Sequence, residues 1–184
     1  MKEREEKLLD AFLNGNESAF EELVEENRER LYRTVMRIAR NHDDAMDVMQ
    51  ESLLKAYGGI AGFRRESSFS TWLISIAVRE AINRVKRDRF RNMISLPFLA
   101  ARPSTTNQSP EDGAELSLIQ RRVEKAVNSL PVVQRAVFTM KFYEDLKIRE
   151  IAEIMGSSEG AAKASYFHAV RKLRKSLKML RPKG

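Results

Sequence analysis

Three clusters of side chains carry the chemistry open to this chain. Asp47, Gln50 and Glu51 recur at spacings of three and four, so on a helix they share one face and offer carboxylates to a basic partner. A solvated acidic face is the alternative. Phe63, Arg64, Arg65, Phe69 and Trp72 stand in a glycine- and serine-bearing stretch, where aromatic rings and cations together suit an unstacked base and its phosphates. The same rings also suit packing of that stretch onto a core. Arg171, Lys172, Arg174, Lys175 and Lys178 form a basic run that fits phosphate contact with a duplex, or a solvated helix end facing its own dipole. No Ser-His-Asp arrangement or glycine-rich phosphate loop accompanies them, and His42 near carboxylates lacks the paired Glu-x-x-His motifs of a helical metal site. Neither a catalytic residue, nor a metal, nor a cofactor is expected.

The bulk composition narrows the class. The 184 residues include no cysteine, which excludes a disulfide framework, thiolate zinc and cysteine nucleophiles, and suits a cytoplasmic location. No apolar run approaches the roughly 18 residues of a spanning helix. The start, MKEREEKLLDAF, lacks the apolar middle of a signal peptide, so neither secretion nor membrane insertion is expected. The net charge of +7 is segregated: residues 1–60 carry −5, 61–95 carry +5, 96–158 are balanced and 159–184 carry +7. An acidic first third and two basic segments suggest a basic protein partner and two contacts with a polyanion.

The elements that must position these groups read as helices throughout, in two small domains. Phe20, Leu23, Val24, Leu31, Val35 and Ile38 follow helical spacing after the break at Asn14, Gly15 and Asn16, with Asn16 able to cap. A second helix is predicted from about Asp43 to Tyr57, ending at Gly58 and Gly59. After the loop GIAGFRRESSFSTW, another starts near Ser70, with Trp72, Ile76, Ala77, Ala81, Ile82 and Val85 apolar and Arg79, Asn83, Arg84, Lys86 and Arg87 polar. Pro97, Pro103 and Pro110 mark an extended linker over 94–114, dividing a first domain, 1–93, from a second, 115–184. There, Leu116, Ile119, Val123, Val127 and Leu130 predict a helix ending at Pro131, which itself suits the start of the next helix, about Val132 to Tyr143.

The last two helices predict a helix-turn-helix. Ile148, Ile151, Ala152 and Met155 form one apolar face, and Ala162, Tyr166, Ala169, Val170, Leu173 and Leu177 the next. Ala152 is small where the helices cross, and Gly156 tolerates the left-handed backbone of a tight turn. The second helix, capped by Ser157 or Ser158, turns Glu159, Ala161, Lys163, Ala164, Phe167, His168 and Arg171 outward, toward a major groove.

Together these motifs resemble the bacterial RNA polymerase sigma factors of the extracytoplasmic-function group, within the sigma-70 family. DAMDVMQESLLKAY (44–57) is similar to the segment that docks on the polymerase clamp coiled coil, which implies Asp44, Asp47, Gln50 and Glu51 for core-polymerase binding. FRRESSFSTWLISIAVREAINRVKR (63–87) resembles the segment that opens and reads the minus-ten element. The resemblance implies Ser67, Ser68, Arg79 and Asn83 for the single strand and Arg64, Arg65, Arg84, Lys86 and Arg87 for phosphates. Residues 129–175 resemble the domain that reads the minus-thirty-five element, which implies Ser158, Glu159, Ala161, Lys163, Ala164, Phe167, His168 and Arg171 there. Met46 stands where the family has glutamate, and Ala161 and Ser165 where it has threonine and arginine, which leaves Lys163 as the retained recognition contact.

The resemblance implies a non-enzymatic subunit that binds core RNA polymerase, directs it to promoter DNA and promotes melting, with an anti-sigma factor as a further partner. Two other readings fit the residues in part. A stand-alone helix-turn-helix regulator predicts a palindromic site and self-association, and leaves FRRESSFSTW without a role. A helical RNA-binding protein predicts salt-sensitive binding without polymerase.

Overall fold

In a computed structural model of the chain, residues 2–94 and 114–179 are described. Pro97, Pro103 and Pro110 lie outside the described residues, as do the side chains of Leu116 and Ile119. All regular structure among the described residues is helical. The chain divides into two compact units, Met1–Arg84 and Val85–Gly184, the division falling inside a long helix.

In the first unit, α1 (Lys2–Leu13) ends at a turn where Gly15 takes a left-handed φ of 94°. Helix α2 (Ser18–Ala39) follows. The expected side-chain cap by Asn16 does not form. Helix α2 begins too late for it, and the Asn16 amide oxygen instead accepts from the Ser18 hydroxyl at 2.7 Å. Asn41, in contrast, caps α3 (His42–Gly59), its side-chain oxygen accepting from the Asp44 N–H at 3.0 Å. Helix α3 continues through both glycines and tightens into a short 3-10 turn, Ile60–Gly62, before the loop.

Helix α4 (Phe69–Ile94) enters the core along one stripe: Phe69, Leu73, Ile74, Ala77, Val78, Ala81 and Ile82 are buried. Ile76 and Val85, expected on that stripe, lie at its edge and are half-buried. Leu9, Leu23, Leu31, Val35, Ile38 and Val48 complete the core. Each large aliphatic side chain so buried contributes on the order of 1.5–3 kcal/mol.

The second unit contains α5 (Ala114–Asn128), α6 (Val132–Phe142), α7 (Ile148–Met155) and α8 (Glu159–Met179). Helix α8 packs on each of the other three. Ala126, Val127, Leu130, Phe138, Ala169 and Leu173 form the core. Pro131 immediately precedes α6. A buried cation secures the α5–α6 turn: Arg135, 3% exposed, donates to the carbonyls of Leu130 at 3.2 Å and Asn128 at 3.4 Å. Carbonyls at a helix end otherwise lack partners, so this guanidinium does the work of a C-cap. Among the described residues, no helix is long and apolar enough to cross a membrane.

Candidate nucleic-acid and partner interfaces

The loop at 63–68 is held at both ends. Phe63 stacks on Trp72 with ring centroids 5.0 Å apart, and Phe69, fully buried, contacts Phe20, Phe63 and Trp72 edge-on or tilted. These rings pack the loop onto the core, the second of their two sequence readings. Ser68 caps α4, its hydroxyl oxygen accepting from the Thr71 N–H at 3.1 Å. Glu5 of α1 also serves that end, a side-chain oxygen accepting from the Phe69 N–H at 2.7 Å. Arg65 adopts a left-handed φ of 57° and forms an ion pair with Asp10. Ser67 is half-buried and Arg64 exposed.

Beyond the loop, α4 presents Arg79, Asn83, Lys86 and Arg87, all exposed and spaced by three or four, so they fall along one side of the helix. Arg84 leaves this row. Its Nη2 lies 2.8 Å from Asp44 Oδ1 and 3.0 Å from Asp47 Oδ2, joining α4 to α3. A second link of opposite polarity, Lys55 Nζ to Glu80 Oε1 at 2.6 Å, joins the same helices.

The acidic cluster on α3 is therefore split. Asp47 and Gln50 are exposed, whereas Asp44 and Glu51 are half-buried on the flank. Met46, Leu54 and Tyr57 share the exposed side with Asp47 and Gln50, and Leu54 is 68% exposed. The site is thus mixed acidic and apolar, and its apolar part is legible in sequence as Met46, Leu54 and Tyr57, which fall on the same helical face as Gln50. Glu17 accepts from the Tyr57 hydroxyl at 3.3 Å, and its negative charge raises the phenol above the ordinary value. His42 Nδ1 pairs with the Tyr32 hydroxyl at 2.9 Å, and no cluster suited to a metal ion occurs among the described residues.

In the second unit the predicted turn forms as a Schellman motif. Gly156, at φ 59°, donates to the Glu153 carbonyl at 3.2 Å, and the Ser157 N–H donates to Ala152 at 2.9 Å. Ser158 is the residue that caps α8, accepting from the Ala161 N–H at 3.2 Å. Ala162, Ala169 and Leu173 are buried, which turns Glu159, Ala161, Lys163, Ala164, Phe167, His168 and Arg171 outward, and all seven are exposed. Phe167 is 62% exposed and its ring meets His168 edge-on at 5.9 Å. Lys163 Nζ is 3.9 Å from Glu159 Oε2, a solvent-exposed pair of little strength.

Comparison with known proteins fits this arrangement. Residues 23–91 match the model of Sigma-70 region 2, and residues 120–173 match Sigma-70, region 4. The chain is 31% identical over 171 residues to the ECF RNA polymerase sigma-E factor of Haemophilus influenzae, covering 88% of this chain and 89% of that protein. It is 27% identical over 154 residues to the RNA polymerase sigma factor SigV of Bacillus subtilis, covering 82% and 86%. In fold it is similar to the sigma factor RpoE of Bartonella quintana, solved in complex with the anti-sigma factor NepR, with a TM-score of 0.70 at 22% identity over 88% of this chain and 98% of that one. A helix-turn-helix with an outward basic and aromatic face, a loop pinned beside a polar helix row, and these two matches in this order place the chain in the extracytoplasmic-function group of the sigma-70 family of RNA polymerase sigma factors.

Proposed function

We infer that this sigma factor docks on core RNA polymerase through α3 and reads its promoter at two places, one along the 63–68 loop and α4 and the other on α8. Residues 1–93 and 115–184 act as the two reading domains, with 94–114 connecting them. Asp47 and Gln50, with Met46 and Leu54 beside them, meet a basic and apolar partner helix, while Asp44 and Glu51 support that face from its flank. The row Arg79, Asn83, Lys86 and Arg87, with Arg64 and the 63–68 loop, receives the melted minus-ten strand, its cations on phosphates. The outward face of α8 enters the major groove at the minus-thirty-five element, with Lys163 and Arg171 as its cationic contacts.

The observation that carries this reading is the coexistence of an exposed α8 face with a separate polar row on α4, because two readers on one chain fit a bipartite site. Bases captured from the single strand offset an unpairing cost of about a few kcal/mol each. The chain supplies no catalytic group of its own. It acts in the cytoplasm, where an anti-sigma partner of the kind bound to the similar folds can hold it.

Run-off transcription with purified core polymerase tests the reading. Promoter-dependent transcripts are expected only when the chain is added, and no stimulation on any genomic template contradicts it. A palindromic binding site with self-association points to a stand-alone regulator instead.

A further inference from the structure

We propose that α1 is a positioning element for the minus-ten loop, and that Glu5 and Asp10 are the residues through which it shapes base readout. The inference rests on the assignment of the 63–68 loop to the melted strand. Helix α1 lies outside residues 23–91, the stretch that matches Sigma-70 region 2, yet it holds that loop at two points. A Glu5 side-chain oxygen accepts from the Phe69 N–H at 2.7 Å, where the loop enters α4, and Asp10 pairs with Arg65 in the middle of the loop. The first N–H groups of a helix have no partner inside it, so the Glu5 carboxylate does for Phe69 what the Ser68 hydroxyl does for Thr71. Arg65 holds a left-handed φ of 57°, which a residue with a long side chain keeps only where its surroundings fix it.

Such a clamp works only if α1 is itself anchored. Arg4 bridges to Glu26 of α2 at 2.8 Å and to Glu22 at 3.6 Å, Leu9 is buried, and the Phe12 ring meets Phe20 at 5.5 Å and Tyr57 at 5.4 Å. The two loop contacts are unequal. Glu5 is half-buried and its bond to the Phe69 N–H is charge-assisted, whereas the paired side chains of Arg65 and Asp10 are 39% and 59% exposed, so solvent weakens that link. Glu5 therefore fixes the exit of the loop into α4, and Asp10 adds a smaller bias at Arg65. A strand base is read through one arrangement of loop groups. When the loop samples others, affinity for the matched base falls with the fraction of chains in the right one. A mismatched base gains nothing from that arrangement, so loosening the loop lowers discrimination between bases.

The test uses the full chain assembled with core polymerase, a promoter that it transcribes, and derivatives of that promoter carrying single substitutions in the minus-ten or the minus-thirty-five element. The readout is the ratio of run-off transcript from the parent promoter to that from each derivative. Glu5→Ala is expected to lower the minus-ten ratio by up to about tenfold, the worth of one charge-assisted hydrogen bond, and to leave the minus-thirty-five ratio unchanged. Glu5→Gln keeps a side-chain carbonyl as acceptor and should retain most of the discrimination. Asp10→Asn should lower the minus-ten ratio by a smaller factor. Glu6→Ala removes an exposed acid of the same helix and is expected to change neither ratio. In the free chain, acrylamide quenching of Trp72, which stacks on Phe63 at the start of the loop, should rise in Glu5→Ala and not in Glu6→Ala. An unchanged minus-ten ratio in Glu5→Ala, or a loss of equal size at both promoter elements, overturns the proposal. Failure of the sigma reading is separable, because it would appear as absent core-dependent transcription by the unaltered chain.

Discussion

The two regions proposed to meet DNA differ in how far their polar groups are already engaged. On α8 the outward side chains stand exposed above a tight turn, and the pair between Lys163 and Glu159 is long at 3.9 Å. Around α4, by contrast, Arg65 is held by Asp10, Arg84 by Asp44 and Asp47, and the Ser68 hydroxyl by the α4 N-terminus. A duplex is a rigid ligand that needs a preformed surface, and α8 offers one. A melted strand exists only inside the initiating complex, and the first unit keeps part of its cationic surface internally paired. The contrast suggests that groove reading is intrinsic to the second unit, whereas strand reading is conditional on polymerase.

The largest effect tests whether the loop depends on its aromatic anchor. Phe69 is fully buried against three rings, so Phe69→Ala should cost the first unit about 3–5 kcal/mol. The chain has a single tryptophan, Trp72, so urea unfolding followed by its fluorescence reports that unit directly. Asp47→Arg comes next. It places a like charge beside Arg84 and removes an exposed docking carboxylate, and it should abolish capture of core polymerase in a pull-down while leaving minus-thirty-five duplex binding intact. Retained capture would place the docking face elsewhere.

Gly156→Ala sharpens the other side of the comparison. Nothing lies within 4 Å of an added Cβ, so the cost is conformational, roughly 1–2 kcal/mol for a left-handed residue. Duplex binding should weaken and the Trp72-reported transition should not move. Smallest of all, Lys163→Ala should reduce the salt slope for a minus-thirty-five duplex by about 0.9, one phosphate contact, with polymerase affinity unchanged.

Much of the scaffold is legible in local punctuation. Pro131 marks the start of α6, Gly156 forms the turn, and Ser158, one of two candidate caps, closes α8. Such signals act within a few residues, where backbone chemistry is decided. The outward face of α8 follows from the same periodicity, because the buried positions fix which side remains. What sequence does not disclose is long-range pairing. Glu5 meets Phe69, 64 positions on, and Arg84 leaves an otherwise regular basic row to join acids about 40 positions earlier. Both depend on how helices pack, which no short window encodes. Arg135 reads as one more surface cation until burial shows it closing a turn. Asn16 does not cap because α2 begins at Ser18 with Glu17 at the cap position, and its amide oxygen accepts from the Ser18 hydroxyl instead.

The claim that strand reading is conditional while groove reading is intrinsic can be measured in one comparison. The chain, free and bound to core polymerase, is titrated with a short minus-thirty-five duplex and with a single-stranded minus-ten oligonucleotide. Polymerase should raise affinity for the single strand by a much larger factor than for the duplex. Equal factors for the two ligands, or a free chain that already binds the strand as well as the complex does, would contradict the account.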